Sequence, residues 1–316
     1  MGATEYLLLV PSLAISLAIV VPLTGVLIRF RANYNPRGLA LDAEGSAVPH
    51  TGPVVNSYFG MFRRVLNLEG VPGLFKGLMP SLVTALIVSL IIISMLDPSG
   101  RHGAYRAPVT GVLGTFLYGL GMVILSLPSA IITSITTPYK LPYLKPIQSL
   151  RVLLTPTERR RPWILYLTPG LLLTQFLHVA YVTLILGPLH RFLVPMKSEF
   201  GIAYPDTTPL KLAIYFAVVL TSTIVLTPLE VITTRLAIQR NHASSEYNSV
   251  SQEVEGEAEE VPEFVGVEDV IGLRNEAEPY LGLVDCAKSI INEEGFKALY
   301  RAWWVSVLGG VVSAVQ

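Results

Sequence analysis

The chain carries one cysteine, Cys286, in 316 residues. A single thiol forms no intrachain disulfide and points to no cysteine-based metal site. Charge is also scarce: Asp, Glu, Lys and Arg make up 15% of the sequence, against 51% hydrophobic residues. A soluble domain this long needs a larger charged share to cover its surface, so a multispanning membrane protein is expected. The apolar–polar alternation of a membrane barrel strand is missing, which leaves an α-helical bundle. No nucleophile–base pair, phosphate loop or metal cluster stands out, so neither an enzyme nor a metalloprotein is expected. No nucleic-acid partner is expected either. No basic segment precedes Tyr6–Ile28 and no small-residue cleavage site follows it, so it reads as a first membrane helix and not as a signal peptide.

Long apolar runs are what the sequence does have. They cover Tyr6–Ile28, Met79–Leu96, Val109–Ile135, Trp163–Leu189 and Leu210–Val231. Each is close to the roughly 20 residues a helix needs to cross the hydrocarbon core. A sixth run starts at Trp303 and reaches Gln316. Its shortness predicts either a truncated chain or a helix that crosses only partway. Charge between the runs is uneven. Arg29–Lys76 holds six basic and three acidic residues, and Lys140–Arg161 holds six and one. Basic loops stay on one side of a membrane, so these two share a face. The third long loop is acidic, with eleven acidic residues between Glu246 and Glu278 and only Arg274 opposing them. The segment at about 241–279 reads as a disordered insertion, either a solvated loop or a docking tail for a protein partner. Arg159, Arg160 and Arg161 beside Trp163 read as an interfacial anchor for anionic lipid, and Trp303–Trp304 as an interface belt.

The chain also repeats itself. Pro22, Pro128 and Pro228 each sit near the end of an odd-numbered run, 106 and 100 residues apart. After each comes a polar loop and then an acidic segment leading into the next run. Repeat one reads N-L-E-G-V-P-G-L-F-K-G and repeat three N-E-E-G-F-K-A-L-Y-R-A, while repeat two keeps only Glu158. Twelve residues before Glu69 and Glu294 lie Ser57 and Gly282, where short helices are expected to start. Phe62, Val65 and Leu66, and likewise Cys286, Ile290 and Ile291, fall at helical spacing, so these helices are expected to lie on the membrane surface. The repeats divide the chain at 1–103, 104–200 and 201–316.

Three such units resemble the mitochondrial carrier family, whose motif is P-x-[DE]-x-x-[KR]-x-[KR] followed by [DE]-G-x-x-x-x-[FWY]-[KR]-G. Pro228, Glu230 and Arg235 match the first part; Glu69, Gly70, Phe75, Lys76 and Gly77 match the second in full. The resemblance implies an all-α fold of six membrane helices with threefold pseudosymmetry and one surface helix per repeat. It also implies a mitochondrial membrane, the inner one by family default and the outer as alternative. In the family the motif's acid pairs with a base on the next helix, forming a gate for alternating access. Here the acid positions hold Thr24, Ala130 and Glu230, and the basic ones Leu27, Thr133 and Thr233. Arg29 and Arg235 fill the last basic position. A three-pair lock is therefore not expected. Glu230 is left solvated, or pairs with Arg235 or Arg29, and Thr24, Thr133 and Thr233 offer a weaker hydroxyl ring. On the opposite face Asp97 matches the family's acid, though D-P-S-G also fits an ordinary turn.

The family's substrate-contact positions fall on Thr84, Leu173 (with Thr174 beside it) and Gly309. His178 and Gln175 lie deeper in the fourth run, where they line a cavity or simply pack. None of the contact positions is charged, and a desolvated anion needs cations around it, so anionic metabolites are disfavoured. No cofactor is implied beyond bound cardiolipin, whose phosphates the family holds at helix N-termini. Ser57, Lys76, Gly77, Gly282 and Arg301 are the candidates, the two cations otherwise snorkelling at the interface. Two functional classes follow. One is a divergent carrier for a neutral or weakly polar solute, with membrane lipids and the solute as partners. The other is a non-transporting relative in the mitochondrial outer membrane, acting in fusion, lipid handling or protein insertion.

Overall fold

Apolar runs uninterrupted by charge form long helices here because lipid offers the backbone no other hydrogen-bond partner. The computed structural model describes residues 3–37, 40–41, 47–48, 53–95, 111–136, 154, 158, 160–199, 202–205, 208–239, 270–274 and 279–312. Asp97, Arg159 and most of the acidic segment lie outside them. The helices are α1 (Ala3–Ala32), α2 (Tyr58–Leu74), α3 (Leu78–Met95) and α4 (Val112–Thr136). They continue with α5 (Leu171–Leu193), α6 (Pro209–Ile238), α7 (Leu283–Glu293) and α8 (Trp303–Val312). Short antiparallel pairs join Ala40–Leu41 to Ala47–Val48 and Met196–Glu199 to Ile202–Pro205. Four of the helices, α1, α4, α5 and α6, are long and apolar enough to cross a membrane. A fifth span is available if α2 and α3, bent by 44°, count as one. The described residues thus form a helical bundle with four or five candidate spans and two short strand pairs.

Helix α6 is the hub. It packs against α1, α4, α5, α7 and α8. Val231, Ile232 and Leu236 on its lower half meet Leu127 and Ile131 of α4, Leu171 of α5, and Cys286 and Ile290 of α7. A second cluster joins Val26 and Phe30 of α1 to Met61 and Val65 of α2 and to Ile238 of α6. Outward faces stay apolar and exposed, as at Ile224 and Leu220 of α6 and Leu113 and Leu117 of α4, which suits lipid as the solvent.

The short helices start where Ser57 and Gly282 stand. Ser57 is extended, and its hydroxyl accepts from Gly60 N at 3.0 Å, an ordinary N-cap. Gly282 occupies the equivalent cap before α7. Tyr58, Met61 and Val65 share one buried face of α2, three and four residues apart.

Proline inside a helix removes the bond to the carbonyl four residues earlier. Pro128 frees Ile124 O and Pro228 frees Ile224 O. Each orphan is met by a phenol from the 3-10 turn that follows in the same repeat. Tyr166 Oη donates to Ile124 O at 2.9 Å, and Tyr300 Oη to Ile224 O at 3.1 Å. The matching position in repeat one is Phe75, which has no hydroxyl. In α5 the strain near Pro188 is relieved by a π-turn at Val182–Leu186, where Gly187 N reaches Val182 O.

Tyr300→Phe is expected to lower stability by about 1 kcal/mol, the worth of one ordinary hydrogen bond. In a Pro228→Ala background, where a backbone N–H can supply the carbonyl, the same change should be silent. Thermal unfolding of the four purified proteins in detergent checks this. Equal losses in both backgrounds would refute it.

Candidate functional site: ion pairs at the loop end of the bundle

A carboxylate followed by glycine breaks α2 at Glu69–Gly70 and ends α7 at Glu294–Gly295. Gly70 has φ +70° and Gly295 φ +89°, with ψ near ±165°. That region is essentially closed to residues with a Cβ, so glycine is required at both turns. The turn reverses the chain and brings the cation seven residues on back to the acid. In repeat one, Lys76 Nζ lies 2.5 Å from Glu69 Oε1, and Arg29 Nη2 lies 2.6 Å from Glu69 Oε2. Arg29 also donates to Gly73 O at 3.1 Å. In repeat three, Glu294 Oε2 accepts from Arg235 Nη2 at 3.0 Å and from Arg301 Nη2 at 2.9 Å, and Arg235 Nη1 contacts Oε1 as well.

Both clusters hold two cations and one carboxylate, and all six side chains are largely buried, at 11% exposed or less. Backbone carbonyls take the excess positive charge. Arg235 Nε donates to Arg31 O and its Nη2 to Asn33 O, both at 3.1 Å, and Arg301 Nη1 also reaches Asn33 O. These carbonyls close α1, the negative end of its dipole. The third-repeat cluster therefore caps a first-repeat helix. Burial pulls the Arg301 guanidinium down to about 10 against the opposing effect of Glu294, so it stays charged at neutral pH.

The third acid is Glu230. Its Oε2 accepts from Arg31 Nη2 at 2.5 Å and from Ser306 Oγ at 2.6 Å, and Oε1 stands 3.6 Å from His178 Nε2. Side chains from α1, α5, α6 and α8 thus converge on one carboxylate. Unlike the other two acids it is partly open, 25% exposed, with His178 at 30%.

Several sequence expectations are corrected. Glu230 is neither solvated alone nor paired with Arg235 or Arg29, because those two arginines are held by Glu294 and Glu69. Its partner Arg31 lies two residues beyond the last motif position. His178 is not a packing residue with its partner on its own helix; it faces Glu230 across to α6. Lys76 and Arg301 do not snorkel towards lipid, since both turn inward to carboxylates. A ring through Thr24 does not form, because its hydroxyl donates to Val20 O at 2.8 Å on its own helix. Thr133 and Thr233 are half-buried on α4 and α6.

The contact positions are scattered. Thr84 Oγ1 meets Ser129 Oγ of α4 and donates to Pro80 O at 2.8 Å. Thr174 is fully buried and bonds Gly170 O, whereas Leu173 is exposed. Gly309 is exposed, with open space where a Cβ would stand. Gly77, at φ +88°, turns the chain into α3.

Residues 208–316, which carry α6, α7 and α8, match the family model described as Mitochondrial carrier protein. The match spans the last third of the chain, and this part is similar to the mitochondrial carrier family. With four or five candidate spans among its described residues, it reads as a multi-pass membrane protein. A comparison with curated proteins gave no match. The matched stretch holds Pro228, Glu230, Arg235, Glu294, Gly295, Tyr300 and Arg301, so the third-repeat motif residues and charge cluster lie inside it.

Glu294→Gln and Glu69→Gln should each cost about 3–5 kcal/mol, because each leaves two buried cations with no carboxylate. Detergent melting curves will show it as a large drop in Tm. A drop no larger than that of an exposed control such as Lys288→Gln would refute it. Burial pushes the Cys286 thiol up to about 12, so at pH 8 only about one thiol in 10⁴ is ionised. Maleimide should label it fully in denaturant and hardly at all in the folded protein, and rapid labelling of folded protein would contradict this burial.

Proposed function

We propose that the chain moves a net-neutral solute across a mitochondrial membrane by alternating access, with Glu230 as the opening element of its loop-side gate. The observation that carries this is the Glu230–Arg31 pair, which joins repeat three to repeat one at 2.5 Å while Glu230 remains partly open. Such a pair can be broken and remade as the helices separate. The charges of Glu230 and Arg31 cancel. A net anion or cation entering would add an uncompensated charge in a low-dielectric space, whereas a neutral or zwitterionic solute would not.

The second reading is a carrier-fold scaffold of the outer membrane that no longer transports. It draws support from the guanidinium contacts of Arg235 and Arg301 on the end of α1, which hold repeats one and three together.

Uptake into proteoliposomes decides between them. Zwitterionic amino acids, polyols, nucleotides and dicarboxylates would be supplied in turn. Saturable uptake of one net-neutral probe is expected, reduced at least about tenfold by Glu230→Gln, which leaves Arg31 unpaired. Absence of flux for every probe, from protein that melts normally, would remove the carrier reading and favour the scaffold.

A further inference from the structure

We propose that Val270–Arg274, within the acidic segment, is a latch that holds the loop-side gate shut, and that Asn33 is the positioning residue linking this latch to the Arg31–Glu230 pair. The proposal rests on the gate reading above.

Four of the five latch residues reach four helices or the segments that end them. Val270 and Ile271 are 2% and 6% exposed, inserted into the cluster formed by Val26 and Phe30 of α1, Met61 and Val65 of α2, and Ile238 of α6. Arg64 of α2 donates to Val270 O at 3.1 Å. Gly272 makes two backbone bonds to the segment after α1: its carbonyl accepts from Tyr34 N at 2.8 Å, and its N–H donates to Asn33 Oδ1 at 3.0 Å. Arg274 forks onto Glu293 at the end of α7, with distances of 2.8 and 3.2 Å, and lies over the Tyr280 ring.

Asn33 is fully buried and uses every polar atom of its side chain and its carbonyl. Oδ1 takes Gly272 N, Nδ2 donates to Pro53 O at 3.1 Å, and the carbonyl accepts from Arg235 and Arg301. Two residues earlier stands Arg31, the partner of Glu230. The last turn of α1 is therefore clamped between the guanidiniums of repeat three and the latch.

Opening the gate means carrying Arg31 away from Glu230, and so α1 away from α6. The apolar seat of the latch contains residues of both helices. Parting them splits the seat, so the latch has to leave before the pair can separate. Seated, it biases the bundle to the closed state; released, it frees the last turn of α1.

The test uses the full chain in nanodiscs, with Cys286→Ala as background and Ser306→Cys as a reporter beside Glu230. The readout is the rate at which a charged, water-soluble thiol reagent labels position 306. Ile271→Asp, which puts a charge into the seat, should raise the rate at least tenfold, and Asn33→Leu should do the same with the seat left apolar. Leu273→Asp, on an exposed latch residue, should label at the parent rate. An unchanged rate in folded Ile271→Asp protein would overturn the latch. If that variant does not fold, a parent rate in folded Asn33→Leu protein, which removes the acceptor of the Gly272 N–H, overturns it equally. Flux without any response at position 306 would sink the latch and leave the carrier. A response without flux would do the reverse.

Discussion

A guanidinium inside a membrane bundle needs a carboxylate, and the loop end of this protein is arranged around that need. Arg29, Arg235 and Arg301 are buried where water cannot solvate them, and each is met by an acid that follows a short helix. Removing the acids would leave cations whose desolvation nothing offsets. The positions of α2 and α7 follow from this. Each must lie so that its final carboxylate points back to the end of a proline-bearing helix, and the glycine after the acid makes the reversal that brings up the second cation.

The two copies of this device differ in ways that fit their neighbours. Lys76 presents one ammonium to Glu69, whereas Arg301 uses its fork to bridge Glu294 and Asn33 O. The first copy is closed within its own repeat, through Gly73 O. The second reaches across to α1 and fastens one repeat to another. The phenol of Tyr300 adds a further duty, supplying the carbonyl that Pro228 leaves open, which Phe75 cannot do for repeat one.

The sequence made the parts with local period readable. The apolar runs, the three prolines and the E-G segments lie within a few turns of one another, so spacing alone located α2 and α7 to the residue at which each is capped. Partners of single charges were not readable in this way. Arg31 sits 199 residues from Glu230 and nine past Pro22, outside the family pattern, and nothing local marks it as the one cation able to reach that acid. For His178 the sequence leaves two roles open, lining a cavity or packing, because the neighbour it makes visible, Gln175, shares its helix. Its real neighbour depends on how α5 leans on α6, a tertiary fact. Thr24 misled in the opposite direction. A hydroxyl at a motif position suggested a ring, but a helical threonine can always bond the carbonyl four residues back, and here it does.

The relative strengths of these contacts decide which part can move. A hydrogen bond to a charged group contributes about 1.5–3 kcal/mol net, and the third-repeat cluster places three of them on the carbonyls that end α1. A single ion pair with a partly exposed partner contributes less, on the order of 1 kcal/mol, because solvent screens it. The Glu230–Arg31 pair lies between these limits, since Glu230 is 25% exposed and Arg31 7%, and it has no second pair of the family's ring to reinforce it. Repeats one and three are therefore held chiefly by Arg235, Arg301 and the apolar cluster around Ile238, and only secondarily by the motif acid. That division makes the Glu230–Arg31 pair the weaker tie between α1 and α6, and the bonds of Arg235 and Arg301 to the end of α1 the stronger ones that parting the two helices must also release.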